Sequence, residues 1–198
     1  MSGHERRRLT KTNSILKSAE ELFSKHGVRQ TSVDDIAEHA GVGRMTIFNY
    51  FGSKDGVIFE MMRSEFEQGC EDAELILDQN IPFEGKLEAI IGVKERALIR
   101  FGGAFVVEAF TKNTKLNIYR VETLAPRIDA IVSRFFAQGK DAGLIDPDIP
   151  DDTLMAYFRV FSSGLSAEGA ALAANLEHPN IRSTLIRMYF AGLTRSYR

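Results

Sequence analysis

The 198-residue sequence lacks most of the features that announce a secreted, membrane-bound or catalytic protein. It has one cysteine, Cys70, so an internal disulfide and a cysteine-based metal cluster are both excluded. No uninterrupted apolar run approaches the roughly 18–20 residues that cross a bilayer. The first residues, MSGHERRRLTKTNS, are basic but lead into no apolar h-region, so they do not read as a secretory signal. Period-two alternation is missing, and no Asn-Gly or Asp-Gly stands between alternating apolar runs, so hairpins are not expected. Internal repeats and low-complexity segments are missing too. His4, His26, His39 and His178 are scattered without the HExxH spacing of a metal site. There is no GxSxG and no phosphate-binding GxxxxGK[ST], and Cys70 has no local setting that suggests a nucleophile. Ser162 and Ser163 sit in a helical stripe and read as packing residues. A disulfide scaffold, a membrane protein and a disordered tail are thereby set aside. The expectation is a reduced, soluble, cytoplasmic protein with no metal, no cofactor, no membrane partner and no catalysis.

What is present is an ordinary globular composition, 44% hydrophobic and 26% charged, on a chain long enough to bury a real core. The net charge of −2 conceals an asymmetry. Residues 1–54 hold nine Lys/Arg against six Asp/Glu, a net +3, and the remainder carries −5. A chain with one basic part and one acidic part is suited to present only the former to a polyanion.

Helical periodicity recurs along the whole chain. Ile15, Leu16, Ala19, Leu22 and Phe23 share one helical face, which Gly27 would close. Leu87, Ile90, Ile91, Leu98 and Phe101 make another stripe. A third holds Val121, Leu124, Ala125, Ile128, Ile131, Val132, Phe135 and Phe136 over four turns. Leu154, Phe158, Phe161 and Leu165 follow, with Asp151 or Asp152 as N-cap after Pro150. Ile181, Leu185, Ile186, Tyr189, Phe190 and Leu193 form the last. Breaks fall at 25–30, 79–82, 112–115, 138–150 and 177–180, where Gly, Pro, Asn and Asp gather. Pro126 lies inside a helical pattern, so that helix starts near it or kinks there. A long helix is expected from about Ser53 to Gln79, weakened by Gly56 and Gly69. The fold class is all-α, with about nine helices.

The informative stretch is TSVDDIAEHAGVGRMTIFNYFGSK, residues 31–54. Ser32 followed by Asp35 resembles a capping box at the start of a short helix that buries Val33, Ile36, Ala37 and Ala40. Gly41 ends it and Val42 turns inward. A second short helix starts at about Arg44 and buries Ile47, Phe48 and Phe51. Two short helices joined by a Gly-containing turn describe a helix-turn-helix. Small Ala37 permits close approach, Gly41 permits the turn, and Ile47 packs back between the helices.

From about Ile15 to Val57 the sequence resembles the DNA-binding domain of TetR-family transcriptional regulators. The matching pieces are ILKSAEELFSKHG and TSVDDIAEHAGVGRMTIFNYFGSKD, with TIFNYFGSK corresponding to that family's Thr-aromatic-Tyr/His-Phe-x-x-Lys signature. The C-terminal part is similar only in length and helical layout, plus the Gly-Leu-Ile-Asp-Pro-Asp linker at 143–148 before a late helix. The resemblance implies a three-helix helix-turn-helix domain at 1–54 and a helical ligand-binding and dimerisation domain at 55–198. Arg44, Thr46 and Asn49 would face base edges in the major groove, with Gly43 allowing close backbone approach. Thr31 and Ser32 would meet phosphate, and Tyr50 and Lys54 match positions that touch the DNA backbone. Many members carry Lys at the position of Arg44 and Gly at that of Met45, so Met45 either reaches a thymine methyl or packs. Arg6, Arg7 and Arg8 suit either a minor-groove arm or a tail that merely adds positive charge.

By the same resemblance the last two helices would build a homodimer. Gly164, Ala167, Gly169, Ala170, Ala171, Ala173 and Ala174 supply small side chains for close helix approach, and Leu185, Tyr189 and Leu193 follow. An intramolecular helix pair fits the same residues. The middle helices are rich in aromatics, and Phe101, Phe105, Glu108, Tyr119, Glu122, Phe158 and Arg159 are candidates to line a site for an unidentified small-molecule effector. An aromatic stripe at helical spacing serves equally well as core. The partners expected are double-stranded DNA, an effector and a second copy of the chain. The function expected is a repressor released from a pseudo-palindromic operator. The alternatives are a ligand-independent structural DNA-binding protein of the same fold and a protein-interaction module with the helix-turn-helix unused.

Overall fold

The computed structural model describes residues 2–101, 105, 109, 112–167, 184, 188, 189, 192 and 193, with the side chains of 94–101 and 163–167 outside that description. Every regular element among these residues is helical: α1 (Gly3–His26), α2 (Val33–His39), α3 (Arg44–Phe51), α4 (Lys54–Asp78), α5 (Phe83–Phe101) and α6 (Thr114–Tyr119). A π-helical turn (Arg120–Leu124) leads from α6 into α7 (Ala125–Asp141), and α8 spans Asp151–Ala167. No helix among the described residues is long and apolar enough to cross a membrane. The chain divides into two compact units, Met1–Glu65 with Glu108–Asn117, and Phe66–Val107 with Ile118–Arg198.

In the first unit α1 begins far earlier than its apolar stripe. Ser2 accepts from the Glu5 amide while the Glu5 carboxylate accepts from the Ser2 amide at 2.6 Å, a capping box that starts the helix at Gly3. Arg6, Arg7, Arg8 and Lys11 therefore ride on an exposed helical extension. Ile15, Ala19 and Phe23 are the buried face, and Gly27 closes the helix with φ 79°, a conformation that a side chain disfavours. Ile36 and Ala37 of α2 and Ile47 of α3 complete the core together with Val57, Ile58, Phe59, Met61 and Met62 of α4. Ser53 caps α4, its hydroxyl accepting from the Gly56 amide at 3.1 Å. Asn113 is buried at the break before α6, where its amide group donates to the Asp55 carbonyl at 2.7 Å and its oxygen caps the Leu116 N–H.

The second unit packs Leu77, Phe83, Phe135, Phe136, Ile145, Leu154, Phe158, Tyr189 and Leu193 into one core. Leu87, Ile90, Ile128, Ile131, Val132 and Phe161 lie against it, as their periodicity predicts. Val121 departs from its stripe and is 54% exposed. The π turn is the cause: the Ala125 N–H bonds the Arg120 carbonyl five residues back, so the helix is locally wide and Val121 loses the face it would hold in an α-helix. Pro126 follows at once in the first turn of α7, where its missing N–H interrupts no interior α-helical bond. Helix α8 starts at Asp151, with Asp151 and Asp152 in its first turn and the Pro150 carbonyl accepting from Leu154. Most of the small-residue stretch at 164–174 and the residues 181, 185, 186 and 190 lie outside the described residues or side chains.

Candidate nucleic-acid interface

Helices α2 and α3 are short, and local bonds fix the turn between them. Gly41 takes φ 66°, a left-handed conformation, and the Val42 N–H returns to the Ala37 carbonyl at 2.9 Å. Gly43 is the N-cap of α3, with its carbonyl accepting from the Thr46 N–H at 2.8 Å. Ile47 is fully buried, so the opposite side of α3 must face outward. Arg44, Met45 and Asn49 are exposed there and Thr46 is half-buried. Met45 is 67% exposed, so of its two readings packing is the one the structure does not support. Tyr50 is half-buried, and the Arg8 guanidinium of α1 lies 5.8 Å from its ring centroid. That contact sets the basic extension beside α3, which no local sequence signal could show.

The polar residues around α2 turn out to be engaged with the protein itself. Thr31 is 2% exposed, and its hydroxyl donates to the Gly27 carbonyl at 2.9 Å. It therefore locks the loop instead of offering its hydroxyl to solvent. Ser32 caps α2: its oxygen accepts from the Asp35 N–H at 3.1 Å, while its own amide and hydroxyl both donate to the Asp35 carboxylate at 2.7 Å. Those bonds, the backbone one foremost, hold the Asp35 carboxyl below the usual carboxylate range. Lys54, at the start of α4, donates to the carbonyls of Val28 and Thr31 at 2.8 and 2.9 Å. One lysine thus clamps the loop before α2 to the helix after α3. Arg44 donates to Asp34 at 2.8 Å and stands 5.4 Å from the Phe48 ring centroid.

The ligand candidates are more dispersed. Phe158 belongs to the core of the second unit, while Arg159, the next residue and so 100° round α8, is exposed and donates to Asp129 at 2.6 Å. Glu122 is exposed on the π turn. Tyr119 is half-buried and its hydroxyl donates to Glu67 at 3.3 Å. Phe105 is half-buried, whereas Glu108 and the Phe101 side chain lie outside the described residues. Among the described residues no group of three or more His, Cys, Asp or Glu is placed to hold a metal ion.

Residues 15–61 match the family model of bacterial regulatory proteins, tetR family. A 52-residue stretch is 48% identical to a putative mycofactocin biosynthesis transcriptional regulator of Mycobacterium tuberculosis. That stretch is 26% of this chain and 26% of the mycobacterial protein, so the match spans about a quarter of either. A solved TetR-family transcriptional regulator of Marinobacter aquaeolei superposes with a TM-score of 0.70 at 21% identity, over 93% of this chain and 91% of that one. SmeT, solved in complex with triclosan, gives 0.69 at 14% identity over 95% and 93% of the two chains. At such identities the structural likeness speaks for the fold, and the family model speaks for the segment that carries α2 and α3. The segment that carries α2 and α3 thus matches the DNA-binding part of the tetR family of bacterial regulatory proteins, and the chain as a whole shares the fold of solved TetR-family transcriptional regulators.

Proposed function

We propose that this regulator is a cytoplasmic repressor that binds a pseudo-palindromic duplex as a homodimer and lets go when a small molecule binds residues 55–198. The observation that carries the DNA reading is the outward face of α3, where Arg44, Met45 and Asn49 stand exposed beside the glycine N-cap Gly43. A helix presented in this way inserts its N-terminal half into the major groove. Arg44 matches the two acceptors of guanine, Asn49 the donor and acceptor of adenine, and Met45 the thymine methyl. Thr46, Tyr50 and Ser32 meet the DNA backbone. Thr31 and Lys54 act one step back, by fixing the start of α2 through the Gly27, Val28 and Thr31 carbonyls. Arg6, Arg7 and Arg8 add phosphate contacts from the helical extension of α1.

One helix-turn-helix reads few base pairs, and a twofold dimer doubles the site. For the effector, Phe105 and Tyr119 are the described candidates whose half-burial suits a site lining, with Phe101 and Glu108 as their neighbours in sequence. That a protein of this fold is solved in complex with triclosan supports the reading that this chain takes a small molecule. Release requires only that the effector bind the DNA-free state more tightly than the DNA-bound one.

The test is selection of binding sites from a random duplex pool at moderate salt, using the full chain. An enriched inverted repeat is expected, with Asn49→Ala changing the preferred base at one position per half-site and Tyr50→Ala weakening all sequences alike. Enrichment of no motif by the wild-type protein would overturn the reading. A recovered duplex that no small molecule displaces would leave a DNA-binding protein without an effector.

A further inference from the structure

The outward face of α3 carries one interaction that its own helix does not require. Arg44, the first residue of α3, donates from Nη1 to Oδ2 of Asp34 at 2.8 Å. Asp34 is the second residue of α2, ten positions earlier, and its own helix is already capped by Ser32 and Asp35. Both side chains of the pair are more than half exposed, at 59% and 60%. An ion pair so exposed adds little to folding stability. Its consequence lies in what the guanidinium can still do.

Arg44 has five N–H donors in a planar fork. Asp34 takes Nη1, and the Phe48 ring stands 5.4 Å from the guanidinium carbon. One N–H direction of the fork and one face of its plane are therefore occupied by the protein before any ligand arrives. Nε and Nη2 remain as a parallel pair of donors, the arrangement that matches O6 and N7 of guanine. Electrostatics select in the same sense. A phosphate drawn to Arg44 would come close to the Asp34 carboxylate, and the two anions repel. A base edge carries no net charge and meets no such opposition. Once DNA excludes water from the site, the Asp34–Arg44 attraction strengthens, because the local dielectric falls.

We propose that Asp34 is a positioning residue for base recognition, holding Arg44 as a guanine reader and withholding it from the phosphate backbone. The inference rests on α3 being the recognition helix, and the experiment separates the two claims. Asp34→Asn, Arg44→Ala and the double variant are compared on the duplex recovered by the wild-type protein, and on the same duplex with each guanine replaced in turn. Salt is varied from about 50 to 200 mM, the range over which phosphate contacts reveal themselves.

Arg44→Ala is expected to lose roughly tenfold discrimination at one guanine per half-site. Asp34→Asn is expected to lose most of that discrimination while gaining a phosphate contact. Its affinity should then fall about threefold more steeply per subunit across the salt range, a slope change of about 0.9. The double variant should behave as Arg44→Ala. If Arg44→Ala loses discrimination and Asp34→Asn keeps both discrimination and slope, the role of Asp34 is overturned and the reading of α3 stands. If Arg44→Ala changes nothing, both fall. If Asp34→Asn weakens every duplex equally and lowers the melting temperature, Asp34 serves only the start of α2 and the inference is overturned.

Discussion

Gly56 and Gly69 lie in the same helix, and replacing each with alanine should move stability in opposite directions. Both stand in α4, where alanine is intrinsically favoured over glycine by about 1 kcal/mol. At Gly69 the added methyl would sit 3.9 Å from Cγ1 of Val93, an ordinary contact. The whole gain is then available, and Gly69→Ala should raise the melting temperature by roughly 2–4 °C for a chain of this size. At Gly56 the methyl would overlap the Phe51 carbonyl oxygen and come within 2.9 Å of its carbon. These are backbone atoms at the last residue of α3, so no rotamer change relieves the clash, and the end of α3 must separate from the first turn of α4. Forced overpacking costs typically 1–3 kcal/mol, and a backbone obstacle puts this case at the upper end. Against the gain in propensity, the net loss is about 2 kcal/mol, or roughly 4–8 °C. Thermal unfolding followed by circular dichroism gives the sign of each change. Duplex affinity of Gly56→Ala should fall as well, because Tyr50 and Phe51 shift with the end of α3. A Gly56→Ala protein that melts at or above the wild type would refute the claim that glycine is there for the close approach.

Lys54→Met leaves the Val28 and Thr31 carbonyls without their donor and should destabilise by about 1–2 kcal/mol in chemical denaturation. The salt slope of DNA binding should stay as in the wild type, since a lysine that clamps a loop is not a phosphate contact; a slope reduced by about 0.9 would return Lys54 to the interface. The Arg127 guanidinium donates twice to Glu74, at 2.8 Å each, and holds its carboxyl below the ordinary range. A depressed folded pKa contributes stability above the unfolded value and loses it as pH falls through the folded one. Glu74→Gln should therefore cost up to about 1 kcal/mol near neutrality, the pair being about one-third exposed, and the gap should close in acid. An acid-independent gap would mean that packing rather than charge is responsible. Burial pushes the Cys70 thiol up, and only the thiolate attacks. An aromatic disulfide reagent should label the folded protein slowly at mildly alkaline pH and the unfolded protein at once; equal rates would show that the thiol is accessible.

Periodicity was enough to read the helices, because a buried stripe at helical spacing is a local property of the chain. Ile15, Ala19 and Phe23 of α1, Ile36 and Ile47 of the helix-turn-helix, and Phe135 and Phe136 of α7 are all buried where the pattern puts them. The capping box of Ser32 and Asp35 was equally legible, since both partners lie within one turn. The start of α1 was not, because residues 3–14 carry no apolar stripe and the helix owes its extra turns to Ser2 and Glu5. Gly56 read as a weak point of a long helix, for nothing in its neighbourhood says that a carbonyl from the preceding helix passes against it. Lys54 and Thr31 carried the right residue types for DNA contact, yet their bonds go to carbonyls of the loop before α2, 23 and 26 residues away in the case of Lys54. Polar contacts of long sequence separation depend on the assembled fold. The partnership of Asp34 with Arg44 belongs to the same class.

The π turn at Arg120–Leu124 bears on how this part of the chain tolerates changes of length. Such a turn holds one residue more than a regular α-helical turn needs. Deleting any one residue there would bring α6 and α7 into one α-helical register, with Pro126 then inside the continuous helix as a kink. Side chains just before the deletion would pivot by about 100° relative to those after it. Tyr119 would swing away from Glu67, whereas Phe135 and Phe136 would keep their places in the core. Substitution at these five positions alters one side chain at a time. A single-residue deletion re-aims a whole turn, giving the fold a discrete setting through which Tyr119 can be pointed at one neighbour or another.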